Sequence, residues 1–170
     1  MIYNRTYIDI INARKIFTNK IQKFIELTED EQNTVDRAYF NLTAINRITA
    51  KLNEIWQAIV NNGGVKVENE DVREWTKQEI FTVVNFASIR GNIADAIEQL
   101  ANLNLVDVIA FRNAYNLLND AYIYTNLNNL EKLLFDIYNV FDKFVIVVDN
   151  NLYILGAYNV IESEGVLTIE

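Results

Sequence analysis

Apolar residues recur every three or four positions along most of the first 142 residues, which is the spacing that buries one face of an α-helix. The pattern predicts five or six helices within the stretches of roughly residues 7–27, 29–40, 43–62, 83–100, 106–122 and 125–142. The clearest apolar stripe belongs to the third helix and consists of Ile45, Ile48, Leu52, Ile55, Trp56 and Ile59. In the first helix, we expect the inner side to carry Ile10, Phe17, Ile21, Phe24 and Ile25.

Polar caps and glycines must mark the ends of these helices, because the chain contains no proline. The segments Thr28–Glu31 and Thr76–Glu79 both have the spacing of a capping box, in which a threonine and a glutamate satisfy each other's backbone N–H groups. Thr82 is a candidate cap for the long helix that ends near Leu100. The pair Gly63-Gly64 is expected to end the third helix, because glycine adopts the left-handed conformation readily.

The apolar stripes of three predicted helices coincide when the chain is shifted by 41 residues. The matching triples are Ile45, Phe86 and Leu127; Ile48, Ile89 and Leu130; Leu52, Ile93 and Leu134; Trp56, Ile97 and Tyr138; and Ile59, Leu100 and Phe141. A degenerate repeat over residues 40–142 would explain why the same 41-residue shift aligns the third helix with the fourth and the fourth with the last. Amphipathic helices also align by chance, and a loop after Gly63 replaces the helix expected before the second copy. Both interpretations stay open.

The hydrophobic pattern changes at residue 143, from helical spacing to short runs rich in β-branched residues. These runs, separated by turn signals such as Asp149-Asn150-Asn151, predict a small antiparallel β-meander of three or four strands. We therefore divide the chain into a helical bundle (1–142) and a C-terminal meander (143–170). A meander this small needs another surface to cover it, and its last strand has an open edge for strand addition. The candidate interface residues are Tyr153, Tyr158, Leu167 and Ile169.

Composition narrows the possible functions further. Half of the 170 residues are apolar (51 %), so the chain can form a core and is not a disordered tail. The net charge is −8, and the local basic cluster of Arg14, Lys15, Lys20 and Lys23 is best interpreted as a solvated helix face, so we expect no nucleic-acid partner. Residues 1–6 do not resemble a signal peptide, and no apolar run reaches membrane-spanning length, so we expect no membrane partner.

No candidate catalytic, cofactor or metal site emerges from the residues. Cysteine and histidine are both absent, which removes the commonest nucleophile, general base and metal ligands. The acidic residues cluster at a helix start (Glu29, Asp30, Glu31) or in a polar loop, where helix dipole and solvation favour them without chemistry. Gly63-Gly64 lacks the Lys-Ser/Thr of a phosphate loop. We therefore expect a protein that is not an enzyme and that binds no cofactor, metal or small-molecule substrate.

Several short motifs resemble those of helical proteins from the structural gene modules of phages and prophages of low-GC Gram-positive bacteria. The motifs are Lys20-Ile21-Gln22-Lys23-Phe24, Leu27-Thr28 with Glu31, Leu42-Thr43-Ala44-Ile45-Asn46-Arg47-Ile48, Trp75-Thr76 with Ile80-Phe81-Thr82, and Ile89-Arg90-Gly91-Asn92-Ile93. Glu79 and Phe81 depart from the pattern, which has Asp and commonly Pro there. The ending, from Leu152-Tyr153-Ile154 to Ile169, resembles the short β segments of phage fibre and appendage proteins. The resemblance implies a virion component and assigns no active-site residue.

The sequence therefore predicts a mainly α protein, a bundle of five to six helices with a small C-terminal β-meander. The expected function is structural: a tail, baseplate, neck or fibre-attachment subunit located in the virion, whose partners are other virion proteins and copies of itself. The excess of tyrosines agrees with a role at protein interfaces. The alternative is a monomeric adaptor or regulatory module, such as a phage-encoded inhibitor of a host protein.

Overall fold

The computed structural model describes residues 1–119 and 124–142, together with the backbone of four short strands in the C-terminal segment. The described residues form a mainly helical fold, as predicted. Its six α-helices are α1 (Tyr7–Asn19), α2 (Glu29–Ala38), α3 (Leu42–Asn61), α4 (Val83–Leu103), α5 (Ile109–Asn116) and α6 (Tyr124–Asp142). A 3₁₀ turn at Ile21–Lys23 follows α1.

The core lies between α3, α4 and α6, the three longest helices. Helix α3 packs against both α4 and α6, and the short helix α5 also contacts α4 and α6. The largest fully buried side chains are Trp56, Ile48, Leu52, Ile55, Ile59, Ile89, Ile93, Ile97, Leu100, Leu130, Leu133 and Leu134. Burial of each such side chain contributes about 1.5–3 kcal/mol, so these three stripes stabilise the fold more than any other group of described residues.

The three core helices begin 41 residues apart, at Leu42, Val83 and Tyr124. Most of the residues matched by this step are buried: Ile48, Ile89 and Leu130 are each 1 % exposed, whereas Tyr138 and Phe141 are partly buried. The step found in the sequence is therefore a property of the helix starts and of the inward faces. Descent from one repeated unit stays a prediction.

Side-chain caps fix the starts of four helices. Thr28 and Glu31 form the predicted capping box of α2, and Thr82 forms one with Asn85 at the start of α4. Thr6 caps α1 in the same way, and Asn41 accepts a hydrogen bond from the N–H of Ala44 at 3.0 Å. Each cap satisfies an N–H group that has no partner inside its helix.

The glycine pair after α3 ends that helix as predicted. Gly63 has a φ of +88°, which is unfavourable for other residues. Gly64 lies so close to the helix that an added Cβ would be 2.5 Å from Cγ2 of Ile59. The chain can therefore turn tightly against α3 only because both positions lack a side chain.

Asparagine side chains hold the long loop between α3 and α4. The N–H of Trp75 donates to Oδ1 of Asn46 at 2.8 Å, and Nδ2 of Asn46 donates to the carbonyl of Trp75 at 2.9 Å. Asn92, which is buried, accepts from Nε1 of Trp56 at 2.6 Å and donates to the carbonyl of Val67 at 3.0 Å. These amides replace the backbone partners that a loop lacks, so the loop is packed onto the helices.

The first helix is shorter than the predicted range of 7–27, which was wrong beyond Asn19. The 3₁₀ turn breaks the helical period, so the residues that follow rotate away from the expected inner side. Phe24 and Ile25 are 98 % and 49 % exposed, and Phe17 on α1 itself is 42 % exposed. The prediction that these three residues face the core was therefore also wrong.

Two further boundaries differ from prediction. No helix begins behind Thr76, although its N–H and hydroxyl both donate to Glu79, because residues 77–79 form a turn and α4 begins only at Val83. Helix α5 is shorter than predicted and ends at Asn116. Nδ2 of Asn126 donates to the carbonyl of Asn119 at 2.6 Å, so the chain after α5 already turns toward α6.

The C-terminal segment contains the strands β1 (Val145–Val148), β2 (Leu152–Leu155), β3 (Val160–Ser163) and β4 (Val166–Ile169). Strand β1 pairs antiparallel with β2, and β3 pairs antiparallel with β4. A single meander that joins the two pairs stays a prediction.

Candidate interaction surface

Residues 1–28, which we call the N-terminal arm, expose several large apolar side chains. Helix α1 packs mainly against α2, and Ala13 is its one fully buried residue. Five exposed apolar residues of the arm form what we call the arm surface: Tyr7, Ile8, Phe17, Phe24 and Ile25; Tyr3 is also exposed but lies against Phe135. Large apolar side chains exposed together mark a contact site more often than a solvated face.

Phe24 combines full exposure with an unfavourable backbone. Its φ of +55° and ψ of +32° place it in the left-handed region, which costs a non-glycine residue about 1–2 kcal/mol. Its N–H donates to the carbonyl of Ile21 at 3.1 Å, which fixes this conformation at the end of the 3₁₀ turn. Neither the local backbone preference nor burial among the described residues favours phenylalanine at this position.

The arm is basic although the chain is acidic. Residues 1–28 contain five Lys or Arg and two Asp or Glu, whereas residues 29–170 contain ten and twenty-one. Arg14, Lys15 and Lys23 are exposed. Lys20 forms an ion pair within the chain, because its Nζ lies 2.6 Å from Oε2 of Glu31. The arm surface is therefore apolar with a basic rim.

A buried charge cluster anchors the arm to the body of the protein. Nη2 of Arg5 lies 2.9 Å from Oε1 of Glu131, and Nη2 of Arg47 on α3 lies 2.6 Å from the same oxygen. Burial lowers the pKa of Arg5, and the neighbouring Glu131 carboxylate opposes this shift. Arginine stays charged even so. The start of the chain is thus fixed between α3 and α6.

A side-chain amide adds a second anchor beside this cluster. The N–H of Arg5 donates to Oδ1 of Asn128 at 3.1 Å, and Nδ2 of Asn128 donates to the carbonyl of Arg5 at 2.9 Å. Arg37 on α2 also binds the arm, through Oδ1 of Asp9 at 3.2 Å and Oδ1 of Asn4 at 3.0 Å. These contacts hold residues 1–9 in one position relative to α6.

Beyond these anchors, α1 stands apart from α6 and leaves a cleft of about 350 Å³, which we call the arm cleft. Its lining residues are Tyr7, Ile10, Arg14, Ala38, Tyr39, Phe40, Tyr124, Thr125 and Leu127. The cleft lies at the start of α6, because Tyr124 is the first residue of that helix. The arm is thus anchored at its start and packs against α2 beside the cleft.

The interface residues predicted from sequence belong to the C-terminal segment and not to the arm. Tyr153 is in β2, and Leu167 and Ile169 are in β4, but their side chains lie outside the described residues, as does Tyr158 entirely. Backbone pairing places Leu167 opposite Glu162. Their role as an interface stays a prediction.

Sequence reasoning missed the arm surface. The apolar spacing of Phe17, Ile21 and Phe24 continues the helical period, so periodicity placed these residues inside. The charge distribution was the signal that could have revealed the arm, because it is basic in an acidic chain.

Two of the acidic residues at the described helix starts, Asp9 and Glu31, take part in capping boxes. Hydrogen bonds from Lys20 and Thr28 lower the pKa of Glu31. Burial tends to raise the pKa of Asp9, but hydrogen bonds from Thr6 and Arg37 outweigh it and lower the value. In the described part of the chain, no three acidic residues are grouped so as to hold a metal ion. None of the helices described here is both long and apolar enough to cross a membrane.

Comparison of the chain with protein-family models, curated proteins and solved structures found no match.

Proposed function

We propose that this protein is a non-enzymatic structural subunit of a phage virion or a related particle, such as a tail, baseplate, neck or fibre-attachment subunit. It acts through protein–protein contacts. The observation that carries the proposal is Phe24, a fully exposed aromatic residue held in a left-handed conformation on a basic arm. The phage assignment comes from the resemblance of the short helical motifs.

The arm surface has the composition of a protein interface. Aromatic residues and arginine are enriched at the centres of such interfaces, and they dominate binding energies there. The arm offers Tyr7, Phe17 and Phe24 with Arg14 beside them. The anchors at Arg5 hold the base of the arm before binding, which reduces the entropy lost on association.

The carboxylates that could serve as acids or bases support a structural role. Asp9, Glu31 and Glu79 each accept hydrogen bonds from the threonine three residues earlier. Hydrogen bonds lower the pKa of Glu31 and of Glu79. A general acid at neutral pH needs the opposite shift.

The direct test is mass spectrometry of particles purified from the bacterium that carries the gene. We expect the protein at a level comparable to other structural subunits, and at a level that survives washing in high salt. Its absence from the particles contradicts the proposal, and co-purification with one host protein then favours the adaptor alternative.

A second test is the absolute mass of the purified chain, measured by light scattering across a wide concentration range. We expect a defined oligomer that is lost in a chain ending at Asp142. Such a chain keeps every residue of the buried core cluster, since this cluster extends from Ala44 to Ile137. Circular dichroism checks that the shortened chain remains helical.

A further inference from the structure

We propose that the arm surface binds the C-terminal segment (residues 143–170) of a neighbouring copy, so that copies associate head to tail. This inference rests on the proposed structural function and names the partner of its interaction surface. Charge, apolar character and reach each support this pairing.

The two segments have opposite charges of equal size. Residues 143–170 contain one lysine and four acidic residues, which gives a net charge of −3. The five basic and two acidic residues of the arm give +3. Complementary charge steers association and disfavours arm–arm and tail–tail contacts, since both would bring like charges together.

The arm has exposed apolar side chains, and short strands such as those of the C-terminal segment need a surface against them. The strands β1 to β4 are four residues each and pair in twos, and isolated hairpins of this size are marginal in water without another surface against them. The segment is rich in Val, Ile, Leu and Tyr. Phe24 and Ile25 on the arm offer the matching apolar contact.

Helix geometry separates the arm cleft from the end of α6. The arm cleft is lined by Leu127, and α6 continues for fifteen more residues to Asp142, a distance of about 22 Å at 1.5 Å per residue. Residues 3–7 run antiparallel to α6, because Tyr3 lies beside Phe135 and Tyr7 lies at the cleft near the start of that helix.

Phe24 follows the 3₁₀ turn after α1 and belongs to the arm and not to the cleft lining. A hairpin of four-residue strands spans only about 13 Å. The C-terminal segment therefore begins, after Asp142, about 22 Å from the part of the arm cleft of its own chain that Leu127 lines, and we infer that it contacts a neighbour's arm. A head-to-tail contact of this kind produces a ring or a filament, which are the forms that tails and their attachment structures take.

The test uses full-length chains with reversed charges. The arm-reversed chain carries Arg14→Glu, Lys15→Glu and Lys23→Glu, and the tail-reversed chain carries Glu162→Lys and Glu164→Lys. All three arm positions are exposed. At low ionic strength, we expect each chain alone to associate at least about tenfold more weakly than the wild type, because its arm and tail now repel. An equimolar mixture should recover association, since each arm then meets a tail of opposite charge.

A second set of variants tests the apolar contact. Phe24→Ser should weaken association by about tenfold or more, because it removes a large apolar side chain from the contact. Leu117→Ser is the matched control, since Leu117 is also an exposed apolar residue but lies at the end of α5. We expect the control to associate like the wild type. Sedimentation velocity measures all these chains.

The possible outcomes separate this inference from the proposed function. If the wild-type chain is a monomer at all concentrations, the inference is wrong, and mass spectrometry of the particles then decides between a subunit that assembles only on a template and an adaptor. If the wild type forms an oligomer that persists in either charge-reversed chain alone, the inference is wrong and the structural function stands. Loss of association in both reversed chains without recovery in the mixture also overturns the inference, because head-to-tail pairing requires that recovery.

Discussion

Arg5 and Glu131 are 126 residues apart in the sequence, yet they form an ion pair at 2.9 Å in which neither side chain is exposed. Arg47 binds the same carboxylate oxygen, so one glutamate joins the chain start, α3 and α6. Removing the partner of a buried charge destabilises a protein strongly, because the remaining charge has lost both water and its counter-ion. This cluster is therefore the point at which the arm depends on the body.

Replacing Glu131 by glutamine should destabilise the protein by about 3–5 kcal/mol, because two arginines would then share a site without a negative charge. Urea unfolding followed by circular dichroism measures the loss. Glutamine keeps the shape of the side chain, so the loss reports charge and not packing. The matched control is Asp136→Asn on the same helix, which breaks an exposed pair with Lys132 and should change stability by less than about 0.5 kcal/mol. Equal losses in the two variants contradict the role of the buried cluster.

The amide of Asn46 should be essential for the long loop. Asn46→Ala removes the donor and the acceptor that bind the backbone of Trp75. The loss of two hydrogen bonds should lower the free energy of unfolding by about 2 kcal/mol. Hydrogen exchange should accelerate locally at residues 68–79. Asn61→Ala, at an exposed position of the same helix, should leave stability and exchange unchanged. Slow exchange in the Asn46→Ala chain would show that other contacts hold the loop.

The core was predictable from sequence because its signal is periodic. The stripe from Ile48 to Ile59 on α3 and its matches at Ile89 and Leu130 follow the helical spacing, and all of them are buried. The caps at Thr28 and Thr82 were predictable for a related reason, since a cap and its partner lie three residues apart. Both the apolar spacing and the cap spacing relate residues that are less than two helical turns apart in the sequence.

The anchors and the arm surface could not be predicted in this way. The pairing of Arg5 with Glu131 depends on how α6 returns to the chain start, and no local pattern specifies that return. Phe24 fits a helical stripe by spacing, but the helix ends before it at Asn19. Phe24 is exposed because the 3₁₀ turn interrupts the helix before it. The ion pair between Lys20, at the start of this turn, and Glu31 on α2 is a contact that periodicity does not encode.

The link between Lys20 and Glu31 should depend on pH. The pKa of Glu31 is lowered from its ordinary value of 4.5, first by the hydrogen bond from Lys20 and then by Thr28. A carboxylate with a lowered pKa stabilises the folded state above its ordinary pKa, and this contribution is lost as the pH falls through the folded-state value. Glu31→Gln should therefore be less stable than the wild type at pH 7, and the difference should vanish in acid below pH 4.5.

Glutamine retains the capping hydrogen bond to Thr28, so this comparison isolates the charge. Glu31→Ala removes the cap as well, and its deficit should persist in acid. Urea unfolding of the wild type and the two variants across the acidic range provides the measurement. A loss of stability in the Glu31→Gln chain that is independent of pH contradicts the assignment to Lys20.

The glycines Gly64 and Gly91 should respond oppositely to alanine. At Gly64 the new Cβ would lie 2.5 Å from Cγ2 of the buried Ile59 and 3.1 Å from its carbonyl oxygen, so Gly64→Ala should destabilise the protein by about 1–3 kcal/mol. Gly91 lies within α4 with nothing within 4 Å of its added Cβ, so Gly91→Ala should stabilise the protein by about 0.5–1 kcal/mol. Thermal unfolding of both variants beside the wild type measures the two signs. A destabilised Gly91→Ala chain would mean that a partner or another copy approaches α4 at this position.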